Sequence, residues 1–346
     1  MTVPADLTAL PPAILAAYAR IRPHVRRTPF DPSLALSRRL GGDVWIKGEH
    51  LQHTSSFKAR GALHKVVCLT PEARAAGIVT ASSGNHGAGV AWACHRVGAS
   101  AVVYVPEQAS PTKVAMIERY GTVVRRFGVD GLDTELHARA AAEREGKTYV
   151  SPYNDLDVVC GQGTIGVEMV EQLREGRAGD GPMKDADRAM DAVIVAVGGG
   201  GLIGGIAAYL KHVMPAVRVI GALPANSPVM AESVAAGAIV ERESLPTLSD
   251  GTAGGIEEGS ITFPICQALV DEWILVDEAA IAGAMRRFIE EHHQLIEGAA
   301  GVALAAAEQR AATRHGAAGA IGGERIAVVL CGANISNARL VEVLNA

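Results

Sequence analysis

The segment Ala192–Leu210, AVIVAVGGGGLIGGIAAYL, restricts the possible architecture more than any other stretch of the chain. It carries no charge, and its first part is an unbroken run of small and β-branched apolar residues. Such a run has no polar face, so a strand made from it must be covered on both sides, as strands of a parallel sheet are. A membrane-spanning helix is the rival reading. It fails on glycine: Gly198 to Gly201 are consecutive, with Gly204 and Gly205 close behind, and each costs a helix about 1 kcal/mol. The segment reads as a buried strand over Ala192–Val197, a glycine turn, and a helix from about Leu202.

The same alternation recurs along the chain. Aliphatic runs at 44–47, 77–80, 101–105, 122–125, 217–221 and 326–330 read as strands, with helical patterns such as 112–120 and 132–145 between them. This predicts an α/β fold with open, mostly parallel sheets flanked by helices. At 346 residues, and with roughly 150 residues per domain as a prior, two domains are expected. One set of strands falls between about Lys47 and Val150 and the other after Asp191. The polar stretch Arg174–Arg188 reads as a surface loop.

Composition narrows the function classes. A net charge of −5, with no basic block, argues against a nucleic-acid partner. Cys68, Cys94, Cys160, Cys266 and Cys331 stand singly, which suits a reducing cytoplasm better than a disulfide framework or a zinc ribbon. Glycine reaches 39 residues while aromatics make up 4%. The core must be aliphatic, and the glycines are expected in loops where backbone meets anions (Gly61, Gly84, Gly87, Gly89, Gly198–Gly201, Gly204 and Gly205).

Three loops carry the chemistry, since ligands of open α/β sheets sit beyond the carboxyl ends of strands. In Gly198–Leu202, converging backbone N–H groups and a helix dipole suit a phosphate. The loop matches neither GxxxxGK[ST] nor a clean GxGxxG, and a turn that only packs a helix against a sheet remains the alternative. Ser82-Ser83-Gly84-Asn85-His86-Gly87 places hydroxyls and an amide at a helix start, which suits a carboxylate or a plain cap. In His53–Ala62, Lys58 falls in the first turn of a helix. The positive end of a helix dipole and burial both lower a lysine pKa, and a deprotonated amine can form a Schiff base. An amine, a phosphate loop and a carboxylate loop together fit pyridoxal phosphate holding an amino acid.

SSFKARGA, SSGNHGAGVA, GGGGL and LCGANIS, in that order, make the chain resemble the fold-type-II pyridoxal-phosphate enzymes, in the threonine/serine dehydratase and serine racemase branch, over about Pro23–Asn345. The resemblance implies a two-domain, tryptophan synthase β-like fold. Residues 1–52 with 153–346 would form the large domain that holds the cofactor phosphate, and 53–152 the small domain with the substrate-carboxylate loop. It implies that Lys58 carries the cofactor, Phe57 packs on its ring and Asn85 bonds the ring hydroxyl. Gly198, Gly199, Gly200, Gly201 and Leu202 would hold the phosphate, and Asn154 would line the pocket. Ser82, Ser83, Asn85 and His86 would grip the substrate carboxylate, with Ser83 near the face opposite Lys58.

Two departures from the family pattern shape the expected chemistry. Cys331 stands where the family usually has Ser facing the pyridine nitrogen; a thiol is a weak donor, which disfavours transamination and leaves β-elimination feasible. Leu223 and Val229 stand where cation-dependent relatives carry carboxylates, so no divalent cation is expected there, although Glu297 matches a further acidic position. The segment Asp250–Gly255 is also unlike ordinary members and is a candidate for shaping the substrate pocket, or a plain turn. His292-His293 and Glu290-Glu291 read as a solvated helix face. The implied activity is that of a cytoplasmic, homodimeric or homotetrameric ammonia-lyase that converts a β-hydroxy amino acid such as threonine or serine to a 2-oxo acid and ammonia, without an appended regulatory domain. An amino-acid racemase, or a dehydratase of another β-hydroxy amino acid, for example in hydroxyectoine breakdown, is the alternative.

Overall fold

The computed structural model describes residues 7–175, 190–318 and 323–346. Its strands, in chain order, are β1 (Phe30–Pro32), β2 (Asp43–Lys47), β3 (Ile78–Ala81), β4 (Ala101–Val105), β5 (Val123–Arg126), β6 (Thr148–Tyr149), β7 (Ala192–Ala196), β8 (Arg218–Pro224), β9 (Glu272–Val276) and β10 (Arg325–Val329). They form a six-stranded sheet in the order β1-β2-β10-β7-β8-β9 and a four-stranded sheet in the order β5-β4-β3-β6. Every pairing is parallel except β1 with β2. The expected α/β class is therefore present, with strand ends displaced by a residue or two at most positions.

Sequence patterning explains where each strand lies. β4 and β7 are buried at every position and read as continuous apolar runs. β5, VVRR, is largely exposed and forms one edge of its sheet. Three strands escaped the pattern: β1 and β6 are too short to show one, and Glu272 disguises the start of β9. Of the stretch expected as a surface loop, Arg174 and Glu175 end the helix Leu156–Glu175, and 176–189 lie outside the described residues.

The glycine excess needs a correction. Gly61, Gly89, Gly204 and Gly205 stand inside helices, where they meet other backbone and side chains rather than an anion. A Cβ on Gly205 would lie 2.4 Å from the carbonyl oxygen of Val159 and 2.9 Å from the Cα of Gly163. The helices Gly201–Val213 and Leu156–Glu175 thus touch backbone to backbone, an approach closer than larger side chains permit. The His292 reading also changes. Its Nε2 lies 2.8 Å from Ser33 Oγ and its ring stacks on Phe288, so it is a packed residue rather than a solvated one.

Candidate active site

The carboxyl ends of β3, β7 and β10 open onto one cavity of about 510 Å³ between the two sheets. Lys58, Phe57, Ser82–His86, Gly198–Leu202 and Cys331 all line it, so the structure brings together nearly every residue expected at the site. Asn154 is not among the lining residues. Its Nδ2 donates to Glu257 Oε2 at 2.9 Å and its Oδ1 accepts from the Ile261 N–H at 3.0 Å, while its neighbour Tyr153 takes the place on the wall.

Lys58 opens the helix Lys58–Cys68. The approach to it is strained, with Thr54 at φ 60° and Ser55 at φ 54°, a region that costs a side-chain-bearing residue on the order of 1 kcal/mol or more. Pairing with the β10 exit loop holds that conformation: Phe57 N donates to Cys331 O at 3.0 Å and Ala333 N to Ser55 O at 2.9 Å. The Lys58 ammonium donates to Pro152 O at 2.8 Å and lies 5.1 Å from the Phe57 ring centre. Burial brings its pKa down to about 8, against the opposing pull of Cys331 and Glu297. About a tenth of the amine is then free at pH 7, against fewer than about one in a thousand for an ordinary lysine.

Two residues along the same helix, Arg60 anchors the lysine to the six-stranded sheet. Its guanidinium meets Glu49 at 2.8 and 2.7 Å and Glu168 at 2.9 and 3.1 Å. Lys47 from β2 completes the group, donating to Glu168 at 2.7 Å and to Gln172 at 2.8 Å. Arg60, Lys47 and Glu49 are 0% exposed and Glu168 is 1% exposed. Two positive and two negative charges balance, which is the condition for burying them. The cluster could not be read from the sequence because Glu168 lies 108 residues from Arg60, and Glu49, though only 11 away, stands on a separate short helix with nothing local to mark it.

The second loop leaves β3 and enters the helix Asn85–Val97, whose N-terminus has no side-chain cap. His86 is buried, with Nε2 3.0 Å from the Val150 carbonyl, so that nitrogen carries the proton. Nδ1 is left as a lone pair without a partner among the described residues. Burial, reinforced by Lys58, pushes the imidazole down to about 3 and keeps it neutral.

Asn85 donates from Nδ2 to Glu297 Oε1 at 2.8 Å and Oε2 at 3.0 Å, and accepts from Asn334 Nδ2 at 2.7 Å. Glu297 also accepts the Asn334 backbone N–H at 3.0 Å. Burial pushes the Glu297 carboxyl up to about 7, against its bonds from Asn85 and Asn334. Cys331 is 2% exposed, and burial followed by the nearby Glu297 raises its thiol well above the usual range. Asn334 stands within LCGANIS; the motif was legible, but its link to Asn85 was not.

The third loop leaves β7. Gly200, at φ 81°, precedes the helix Gly201–Val213, and here too no side chain caps the N-terminus. A left-handed residue at that point is natural only for glycine. First-turn N–H groups at such a helix start are an anion site. At the mouth, Lys113 reaches Asp250 at 3.0 Å, joining the segment after β4 to the irregular stretch ahead of β9. Asp250–Gly255 does line the cavity. Leu223 and Val229 are core residues at 1% and 2% exposure.

A low-pKa amine, two uncapped helix N-termini and a buried thiol around one cavity fit an aldehyde cofactor that carries a phosphate, with an amino acid beside it. Comparison with known proteins agrees. A family model described as pyridoxal-phosphate dependent enzyme matches residues 21–332. The chain is 34% identical over 332 residues to the L-threonine ammonia-lyase of Thermotoga maritima, covering 96% of this chain and 77% of that one. It is 35% identical over 313 residues to the chloroplastic biosynthetic threonine dehydratase 1 of Solanum lycopersicum, covering 90% of this chain but only 48% of the tomato protein, so it spans about half that relative's length. The solved structure of processed threonine deaminase isoform 2 from Solanum lycopersicum superposes with a TM-score of 0.89 at 31% identity, covering 100% of this chain and 95% of that one.

Proposed function

Because the chain belongs to the pyridoxal-phosphate dependent enzyme family, we propose that it is an ammonia-lyase, eliminating water from a β-hydroxy amino acid such as threonine or serine to give a 2-oxo acid and ammonia. The observation that carries this reading is the lysine amine, with its pKa brought down to about 8, facing two uncapped helix N-termini across one cavity. Pyridoxal phosphate, when bound at Lys58, supplies the electron sink that makes the substrate's α-proton removable.

Gly198, Gly199, Gly200, Gly201 and Leu202 would hold the cofactor phosphate through backbone N–H groups, and Phe57 would pack beside its ring. Ser82, Ser83, Asn85 and His86, at the start of the Asn85 helix, would hold the substrate carboxylate, with hydroxyls and first-turn N–H groups as the donors because the His86 imidazole is neutral. Lys58 Nζ would be the group that takes the substrate's α-proton. Glu297 holds the Asn85 side chain that would meet the cofactor ring, and Cys331 would offer that ring a neutral thiol, a weak donor that withholds a full proton. Asn154 acts at one remove by bracing Tyr153. The division into 1–52 with 153–346 and 53–152 places the amine and the carboxylate loop on one unit and the phosphate loop on the other. Single free cysteines suit a reducing compartment such as the cytoplasm, and the chain works as a homo-oligomer.

The experiment is a screen of 2-oxo-acid release across β-hydroxy amino acids of both configurations. A visible absorption band that borohydride bleaches, missing in Lys58→Ala together with the activity, is the expected outcome. A colourless wild-type protein sinks the reading. Ser83 lines the cavity along with Lys58, which favours racemisation as the second reading; a product of inverted configuration, lost in Ser83→Ala, would identify it.

A further inference from the structure

We propose that His64, Cys68 and Asp157 form a binding site for a soft divalent cation of the zinc class, outside the cavity around Lys58. His64 and Cys68 are four residues apart on the helix Lys58–Cys68 and so share one face. Asp157 lies in the first turn of the helix Leu156–Glu175. One donor atom from each, an imidazole nitrogen, a sulfur and a carboxylate oxygen, lies within 4.8 Å of the other two. Ligands at about 2.0–2.3 Å from a tetrahedral zinc stand roughly 3.5 Å from one another, and Cys68 Sγ is already 3.4 Å from His64 Nε2.

The histidine is oriented as metal-bound histidines are. Its Nδ1 lies 2.7 Å from the backbone carbonyl of Asp157 and so carries the proton, leaving the lone pair on Nε2. Two donors share that lone pair, the Cys68 thiol and the Arg20 guanidinium at 3.4 Å. Arg20 is exposed, and its guanidinium can turn to water when a cation arrives. Lys65 takes Asp157 Oδ2 at 3.0 Å, and Oδ1 makes no hydrogen bond among the described residues. Cys68 is exposed and gives the cation an entry path and water for the fourth position. On binding, the S–H bond breaks, sulfur bonds the cation and the proton goes to solvent. Nitrogen and thiolate donors select zinc-like ions over magnesium or calcium.

The site joins two helices that matter for the amine. His64 shares a helix with Lys58, and Asp157 follows closely on Pro152, whose carbonyl receives the Lys58 ammonium. The test uses the metal-stripped, cofactor-loaded full chain. Cobalt(II) is titrated while its d–d absorption is followed in the red, with zinc as competitor. One equivalent should bind with tetrahedral-type intensity and be displaced by zinc, and Cys68→Ser should weaken zinc by at least about tenfold. In the unmutated protein, zinc should slow alkylation of Cys68, a readout that does not depend on any variant folding. Equal zinc affinity in Cys68→Ser, or alkylation at an unchanged rate with zinc present, overturns the proposal.

Discussion

Replacing Arg60 by methionine tests whether the buried charge cluster anchors the lysine helix. The substitution keeps most of the volume of the side chain's stem and removes one of two cations, leaving Lys47 against Glu49 and Glu168 in a region that is 0–1% exposed. Removing one partner of a buried ion pair costs about 3–5 kcal/mol, a large share of the roughly 5–15 kcal/mol that holds a protein folded. The pH dependence has a defined sign. Burial works against the Glu168 charge, but Arg60 and Lys47 hold its carboxyl below the usual value. Such a group gives stability that is present above the unfolded carboxyl pKa and is lost as pH falls through the folded one. The deficit of Arg60→Met should therefore be greatest near pH 7.5 and shrink toward pH 4.5, where the uncompensated carboxylate takes up a proton. Urea unfolding followed by tryptophan fluorescence at both pH values measures it. Adding Glu168→Gln to the variant should recover part of the loss, because the two sites touch. A deficit under about 1 kcal/mol at pH 7.5, or one that grows on acidification, refutes the argument.

Glu297 gives the opposite slope: its carboxyl is raised to about 7 in the folded state, so the folded chain keeps a proton that the unfolded chain loses, and stability falls as pH rises from about 4.5 to 7. Glu297→Gln should flatten that part of the stability curve measured by urea denaturation. Gly205→Ala puts a Cβ 2.4 Å from the Val159 carbonyl oxygen; backbone cannot move aside as a side chain can, and a loss of about 1–3 kcal/mol is expected in the same assay. In the cofactor-free protein, reductive labelling of Lys58 by a small aldehyde should rise with a midpoint near pH 8, and a midpoint above pH 10 would remove the case for an activated amine.

The strand framework was legible wherever burial on both faces erased polar residues, as in β4 and β7, and illegible where a strand was short or began on a charge, as in β1 and β9. The three site loops could be read because each couples a strand end to a helix start through residues with a local physical meaning. What stayed hidden was long-range. Glu49 and Glu168 look like any acidic residues until the fold encloses Arg60 between them. Asn154 sits in the right neighbourhood, yet its amide is claimed by Glu257, a residue more than a hundred positions away. The glycines of the helices were misplaced for a related reason: composition registers an excess, while only packing shows that Gly205 serves the contact of two helices and Gly200 a turn.

β2 pairs with β10 through a register that sets Asp43 beside Arg325, residues 282 positions apart. A ribosome adding about 5–20 residues per second makes β2 tens of seconds before its neighbour exists. Throughout that interval Val44, Trp45 and Ile46 lack the strand they pair with in the finished fold, while the parallel pairs β3–β4 and β4–β5 can close from much nearer in the chain. β1 pairs antiparallel with β2 from close by in the chain and so can occupy one edge early, leaving the other as a waiting slot. Nascent chains stalled before β10 should therefore recruit chaperones and be prone to strand-to-strand aggregation.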